Sequence, residues 1–418
     1  MLLNINIIKI FLRRFFSVPS NTVLSSLIFI IVGIFCSMNS FAQTDSIAMN
    51  NREVILTGKT CGALPSLKYG PGADRLGGAK MTYLDTAIVL QVVDSLKDDY
   101  IVRLSANHKV FIPKENIQFI QEFQKPAYTL TSSWKVSGDE KQDYVSISLD
   151  ERLPYRSFQL IDPSRIVVDI YGATGNTNWI TQLKLAREIK NVYHEQTEDD
   201  VFRVTIELKH SQQWGYSISY KKKTLVIAIK RQPEQLNMRH LKIAVDAGHG
   251  GANSGAVGLK TGVKEKDCNL QIAKQLEKYL KRSGAEVFMT RSADEDLGMV
   301  DRTLMLREAN PDLLISIHHN AAGNPNVKGV STYYRYIGFK PLSVAVLDRM
   351  LELGLDEFGN VGSFNFSLSG PTEYPNCLVE VAFLSNEADE KRIMEPLFQR
   401  LVAKKIRRGI LDWIKNAR

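Results

Sequence analysis

Four short stretches in the last part of this 418-residue chain carry side chains that a packed core has no use for. DAGHGG (246–251) sets His249 among glycines directly after an apolar run, and DLLISIHHNAAG (312–323) ends a buried-looking strand on His318 and His319. NCLVEVAF (376–383) places Glu380 between Leu378, Val379, Val381 and Ala382, and VKEKDCNL (263–270) opens a helical pattern with Glu265. An imidazole or carboxylate taken out of water must find a partner or suffer a desolvation cost. Two imidazoles and one carboxylate are a common set for a catalytic zinc ion that keeps a fourth position open for water. A second carboxylate beside such a water is what a hydrolase needs as general base. Each residue also has a plainer reading. Glu265 near a helix N-terminus stabilises the dipole by about 0.3–1 kcal/mol, and Glu380 fits a buried salt bridge with Arg291 or Arg302, or an edge position. The glycines of 246–251 could cradle phosphate, but GxxxxGK[ST] and the dinucleotide glycine spacing are both absent.

The elements that must position these groups follow from periodicity. Strand alternation puts Ser316, His318 and Asn320 on one face and His319 on the other, so the two imidazoles cannot share one ion without distortion. From residue 241 onward strands and helices alternate. KIAVDAG, EVFMTR, DLLISIH, STYYR and NCLVEVAF read as strands; KDCNLQIAKQLEKYLKRSG, VDRTLMLREAN and a run over 341–358 read as helices. A long closing helix has a break expected near Pro396. This pattern predicts an α/β domain over 241–418, a mostly parallel sheet with flanking helices and its site outside the carboxyl ends of strands.

Two small all-β domains are expected ahead of it. Residues 53–122 show short β-runs punctuated by Gly70, Pro71, Gly72, Gly77 and Gly78, a pattern that fits a small barrel. Residues 127–231 alternate plainly at Phe202, Val204, Ile206 and Leu208, and fit a β-sandwich. Charged, proline-containing RQPEQLNMRH marks 232–240 as a linker. At the N-terminus, Lys9, Arg13 and Arg14 precede the apolar run VLSSLIFIIVGIF, and Ser40 and Ala42 suit cleavage after Ala42. Residues 1–42 therefore read as a secretory signal, which would place the mature chain in the periplasm or cell envelope. The run is short for a membrane span of about 20 residues, with an uncleaved anchor as the alternative. Removal takes three positive charges, leaving 8 − 3 = +5. The charge excess is mild and no basic stripe interleaves with aromatics, which argues against nucleic acid. Cys61, Cys268 and Cys377 are too few for a disulfide framework, with Cys268 to Cys377 the one bridge to consider.

Taken in order, DAGHGG, EKDCNL, MTR, SIHHNA and CLVEVAFLSN resemble the zinc-dependent N-acetylmuramoyl-L-alanine amidases of the amidase-3 type, over residues 241–418. RIVVDIYGA and VFRVTIEL resemble the AMIN module, which targets envelope enzymes to peptidoglycan, and LKYGPGADRLGG resembles bacterial SH3-like modules. The resemblance implies a peptidoglycan hydrolase cutting the amide between N-acetylmuramic acid and the L-alanine of the stem peptide. It implies zinc on His249, Glu265 and His318, with Glu380 as general base, and an activator protein as a partner where the enzyme is regulated. One departure is His319, where the family usually has alanine; alternation assigns it to packing or hydrogen bonding, with substrate contact as the alternative. The long helical run at 341–358 leaves no segment for the plugging helix of tightly regulated members, so an open site is expected. The alternatives are a zinc peptidase acting within the stem peptide and a wall-binding protein whose hydrolase domain is dead. The intact set of four residues argues against decay.

Overall fold

The computed structural model describes residues 55–72, 78–121 and 129–417. The expected secretory signal, part of the glycine-rich LKYGPGADRLGG loop and the start of the second β-rich block lie outside them. Among the described residues no helix is long and apolar enough to cross a membrane.

Residues 56–119 form a seven-stranded sheet in which every pairing is antiparallel. Alternation buries Val102, Leu104, Val110 and Ile112 on its inner face, and Lys80–Tyr83 is one edge strand. Residues 129–230 form two further sheets. Tyr155–Ile161, Ser164–Tyr171, Val201–Leu208 and Ile189–Glu198 make one; Thr129–Gly138, Gln142–Leu149, Thr224–Lys230 and Tyr216–Lys221 make the body of the other. Their inward residues, among them Val145, Ile147, Val168, Val204 and Ile227, join those of the first sheet in one continuous buried cluster. The two β-rich blocks therefore share a core.

The segment 232–240 is not bare chain. Met238–His240 is a short 3-10 turn whose Met238 is buried in the core of the C-terminal domain. Trp214 packs on Trp413 with ring centroids 4.9 Å apart, and the Trp413 indole N–H donates to Gln212 Oε1 at 2.9 Å. The β-sandwich is thus anchored on the closing helix.

The C-terminal sheet has six strands, in the order Glu286–Met289, Lys242–Ala247, Leu313–Asn320, Asn376–Phe383, Val330–Tyr333, Glu357–Val361. All neighbours are parallel except Asn376–Phe383 with Val330–Tyr333. Helix Glu265–Arg282 buries Cys268, Ile272, Ala273, Leu276 and Leu280, the 3- and 4-residue spacing of one helical face, and stops before Gly284, whose φ of 88° suits glycine. Helix Pro396–Asn416 starts on a proline at its first turn and buries Phe398, Val402, Ile406, Ile410 and Trp413. The break near Pro396 is present, with a shorter helix Glu387–Ile393 before it.

Two expectations are corrected here. The helix predicted over 341–358 is Lys340–Leu351, and residues Glu357–Val361 are an edge strand. Gly354 at φ 70° turns the chain out of the helix, while Leu355 stays buried from the loop. Cys268 and Cys377 are both buried and both unbridged.

Candidate active site

The strand Lys242–Ala247 delivers Asp246 and then the glycine turn. Asp246 is almost wholly buried and accepts from Thr290 Oγ1 at 2.7 Å, Ser316 Oγ at 2.6 Å and Arg302 Nη1 at 2.6 Å. Burial alone would raise its pKa; the Arg302 guanidinium, His318 and the two hydroxyls hold it below the usual carboxylate value. Arg302 also donates to the His249 carbonyl at 2.6 Å, and Arg291 donates to the carbonyls of Ala247 and Gly248 at 2.8 and 3.0 Å. The two arginines that could have neutralised Glu380 are therefore turned toward this backbone turn. They hold His249 at φ 61°, a left-handed conformation that a β-carbon disfavours by roughly 1–2 kcal/mol.

His249 Nδ1 lies 2.9 Å from Asn253 Oδ1, an oxygen that also accepts from the Gly255 N–H at 3.1 Å. That oxygen can only accept, so Nδ1 carries the proton and Nε2 keeps its lone pair. Nε2 faces Glu265 Oε2 at 3.1 Å. The other Glu265 oxygen lies 3.0 Å from His318 Nδ1. Glu265 is fixed by the N–H of Ala256 at 2.7 Å, the N–H of His319 at 3.1 Å and the Asn269 amide at 3.2 Å.

Among the described residues, His249, Glu265 and His318 are the group whose ligand atoms all lie within 4.8 Å of one another. Bonds of about 2.0–2.1 Å in tetrahedral geometry separate ligand atoms by about 3.3 Å, close to the 3.1 Å between His249 Nε2 and Glu265 Oε2. Two glycines keep the space clear. A β-carbon on Gly248 would sit 2.2 Å from the His318 ring, and one on Gly255 would sit 2.3 Å from Glu265 Oε2. His318 Nε2 is buried with no hydrogen-bond partner, so the ring's place answers to something besides hydrogen bonding. The donor set and its spacing suit a divalent ion.

Glu380 is buried on the strand beside His318, directly opposite it in register. It lines one cavity of about 620 Å³ together with His249, Glu265 and His318. His319 stands apart from His249, Glu265 and His318. Its Nδ1 bonds Asn269 Oδ1 at 2.7 Å, one helical turn beyond Glu265, and burial lowers its pKa to about 4, so it is neutral at pH 7. Both imidazoles thus meet the same helix four residues apart, where a register shift after His318 interrupts the strand pairing. Sequence reasoning missed Asn253, Asn269 and the Asp246–Arg302 pair. A polar residue four positions after His249 and another four after Glu265 are their only local signals. It also missed Phe366, whose ring meets His318 edge-on at 5.4 Å and lines the cavity.

The chain is similar to known proteins over the domain that carries this cavity. A family model described as N-acetylmuramoyl-L-alanine amidase matches residues 243–412, and the AMIN domain model matches 134–229. The chain is 25% identical over 384 residues to N-acetylmuramoyl-L-alanine amidase AmiC of Neisseria meningitidis, covering 70% of this chain and 91% of that one. It is 31% identical over 201 residues to the germination-specific N-acetylmuramoyl-L-alanine amidase of Bacillus subtilis, covering 44% of this chain and 83% of the relative. It spans about a third (35%) of the amidase LytC of Bacillus subtilis, at 31% identity over 41% of this chain. Among solved structures, the catalytic domain of CwlV from Bacillus (Paenibacillus) polymyxa var. colistinus matches 42% of this chain and 98% of its own, at 32% identity and a TM-score of 0.40. The chain belongs to the N-acetylmuramoyl-L-alanine amidase family, hydrolases of cell-wall peptidoglycan.

Proposed function

We propose that the enzyme is zinc-dependent, with His249, Glu265 and His318 as ligands and Glu380 as general base. Its bond is the amide between the lactyl group of N-acetylmuramic acid and the L-alanine of the stem peptide. The observation that carries the reading is the convergence of three donor side chains from three separate segments beside a buried carboxylate. When bound, zinc acts as a Lewis acid that lowers the pKa of water toward neutrality and polarises a carbonyl. Glu380 takes the proton from the attacking water and returns it to the departing alanine nitrogen. Asn253 keeps the His249 lone pair on Nε2, and His319 and Asn269 hold Glu265 in place. The AMIN and SH3-like readings of the two β-rich blocks, and residues 1–42 as a secretory signal, support a periplasmic enzyme that meets peptidoglycan after export.

Digesting purified sacculi with the zinc-loaded chain and weighing the products by mass spectrometry tests this. Free stem peptides beginning with L-alanine are expected, and none after chelation or with Glu380→Gln. The Gln variant should retain zinc while turnover falls about 10²–10⁴-fold. Cuts inside the stem peptide would replace the amidase with a peptidase. Near-normal turnover of Glu380→Gln would remove Glu380 from the base role.

A further inference from the structure

The cavity wall formed by residues 362–375 has only the short 3-10 turn Ser367–Ser369 of its own, so its position is set by what it touches. Asn365, Phe366 and Ser367 line the cavity from this wall. The N-terminal sheet grips it through its edge strand Lys80–Tyr83, whose outward backbone groups a sheet must otherwise leave to solvent. The N–H of Lys80 donates to Asn365 Oδ1 at 3.2 Å, and the Tyr83 hydroxyl donates to the Ser367 carbonyl at 3.3 Å. Arg335 spans the joint. One guanidinium nitrogen donates to Asn365 Oδ1 at 3.1 Å, and another donates to the carbonyls of Lys80 and, at 3.3 Å, Met81.

The far end of the wall is tied to the β-sandwich. The Tyr216 N–H donates to the Thr372 carbonyl at 2.8 Å, and Thr372 Oγ1 donates back to the Tyr216 carbonyl at 2.8 Å. Gly215, at φ 110°, allows this approach, since a β-carbon there would lie 2.4 Å from the Glu373 carbonyl. Both non-catalytic blocks therefore end on one segment, and that segment carries the ring packed against His318.

We propose that the β-rich blocks are working parts of the active site. The Lys80–Tyr83 edge, through the positioning residue Arg335, fixes the Asn365–Ser367 wall and thereby the binding of the glycopeptide. The nature of that substrate rests on the amidase reading. The reacting groups stand on the catalytic sheet, glycine turn and helix, and the clamp touches only the wall. Its effect therefore falls on KM and not on kcat.

The test uses the full chain loaded with zinc and a soluble muropeptide. Arg335→Gln loses charge-assisted hydrogen bonds, each corresponding to about tenfold or more in an equilibrium. The KM should rise about tenfold with kcat within about twofold and zinc content unchanged. Amide exchange over 362–370 should accelerate about tenfold while the Asn376–Phe383 strand keeps its protection. Tyr83→Phe, which loses one neutral hydrogen bond from the N-terminal sheet, should move both readouts the same way by about threefold. If Arg335→Gln does not fold, Tyr83→Phe decides. Unchanged KM and exchange, a fall in kcat at fixed KM, or faster exchange across the whole catalytic sheet would each overturn the proposal. Should the wild-type chain not cleave the muropeptide, the amidase reading fails, and the exchange measurement still decides whether the clamp exists.

Discussion

Gly248→Ala is the sharpest probe of the site, because it adds one methyl group at a known distance from His318, one of the proposed ligands. The new carbon would lie 2.2 Å from His318 Cε1, 2.3 Å from Nε2 and 2.6 Å from Nδ1. Ordinary van der Waals contact begins near 3.4 Å, so the ring must retreat by about 1.2 Å. The backbone cannot yield instead. The Gly248 N–H is bonded to the Ile317 carbonyl at 3.1 Å, and its own carbonyl accepts from Asn269 and Arg291 at 3.1 and 3.0 Å. Metal–ligand distances tolerate about ±0.2 Å, several times less than that retreat. Altering the groups that merely orient ligands weakens metal affinity about 10–100-fold, so displacing a ligand outright should exceed the upper figure. Overpacking should also lower stability by about 1–3 kcal/mol. The assay is a zinc titration against a competing chromophoric chelator, on protein whose near-UV circular dichroism shows it folded. Gly323→Ala is the control, since a β-carbon there meets nothing within 4 Å. Wild-type zinc affinity in folded Gly248→Ala would refute the assignment of His318 as a ligand locked against this turn.

Arg302→Met should lower urea-unfolding stability by about 3–5 kcal/mol, because it leaves Asp246 charged and buried without its cation; a loss under about 1 kcal/mol would show that the pair does not hold the turn. His249→Ala and His249→Gly should both lose zinc, with the glycine variant about 1–2 kcal/mol more stable because it accepts the left-handed backbone freely. Equal stability would mean that the φ of 61° carries no strain. Chelation should abolish turnover yet leave near-UV dichroism intact, since Glu265 is held by the N–H groups of Ala256 and His319. Collapse of the near-UV signal would show the ion to be structural.

Much of the site was legible because it breaks local rules. Imidazoles at the end of LLISI and a carboxylate inside CLVEVAF have no place in an apolar strand, so their chemistry shows through the pattern. Glu265 was harder, since an acidic helix start is ordinary, and only its company gave it meaning. The helix over 341–358 was overread because Leu353 and Leu355 continue the helical spacing of the run, although Leu355 is buried from a loop after Gly354 has turned the chain. Least legible was the packing of the β-rich blocks on the catalytic domain. The Trp214–Trp413 contact and the Arg335 bridge join residues about 200 and 250 positions apart, and no local period records such pairs.

The charges around the glycine turn explain why so many ionised groups are buried in one place. Glu265 and Glu380 both line the same cavity, and burying carboxylates together is costly without cations to balance them. An arginine could relieve this, and two are within reach of the turn, yet Arg291 and Arg302 spend their donors on the carbonyls of Ala247, Gly248 and His249 and on Asp246. Asp246 neutralises Arg302 behind the turn, which keeps that positive charge from competing with a cation in the cavity. The arrangement separates two tasks. Guanidinium groups behind the turn hold a strained histidine in place, while Glu265 and Glu380 line the cavity in front of it. Swapping either arginine for a neutral residue should therefore disturb the turn before it disturbs the charge at the site.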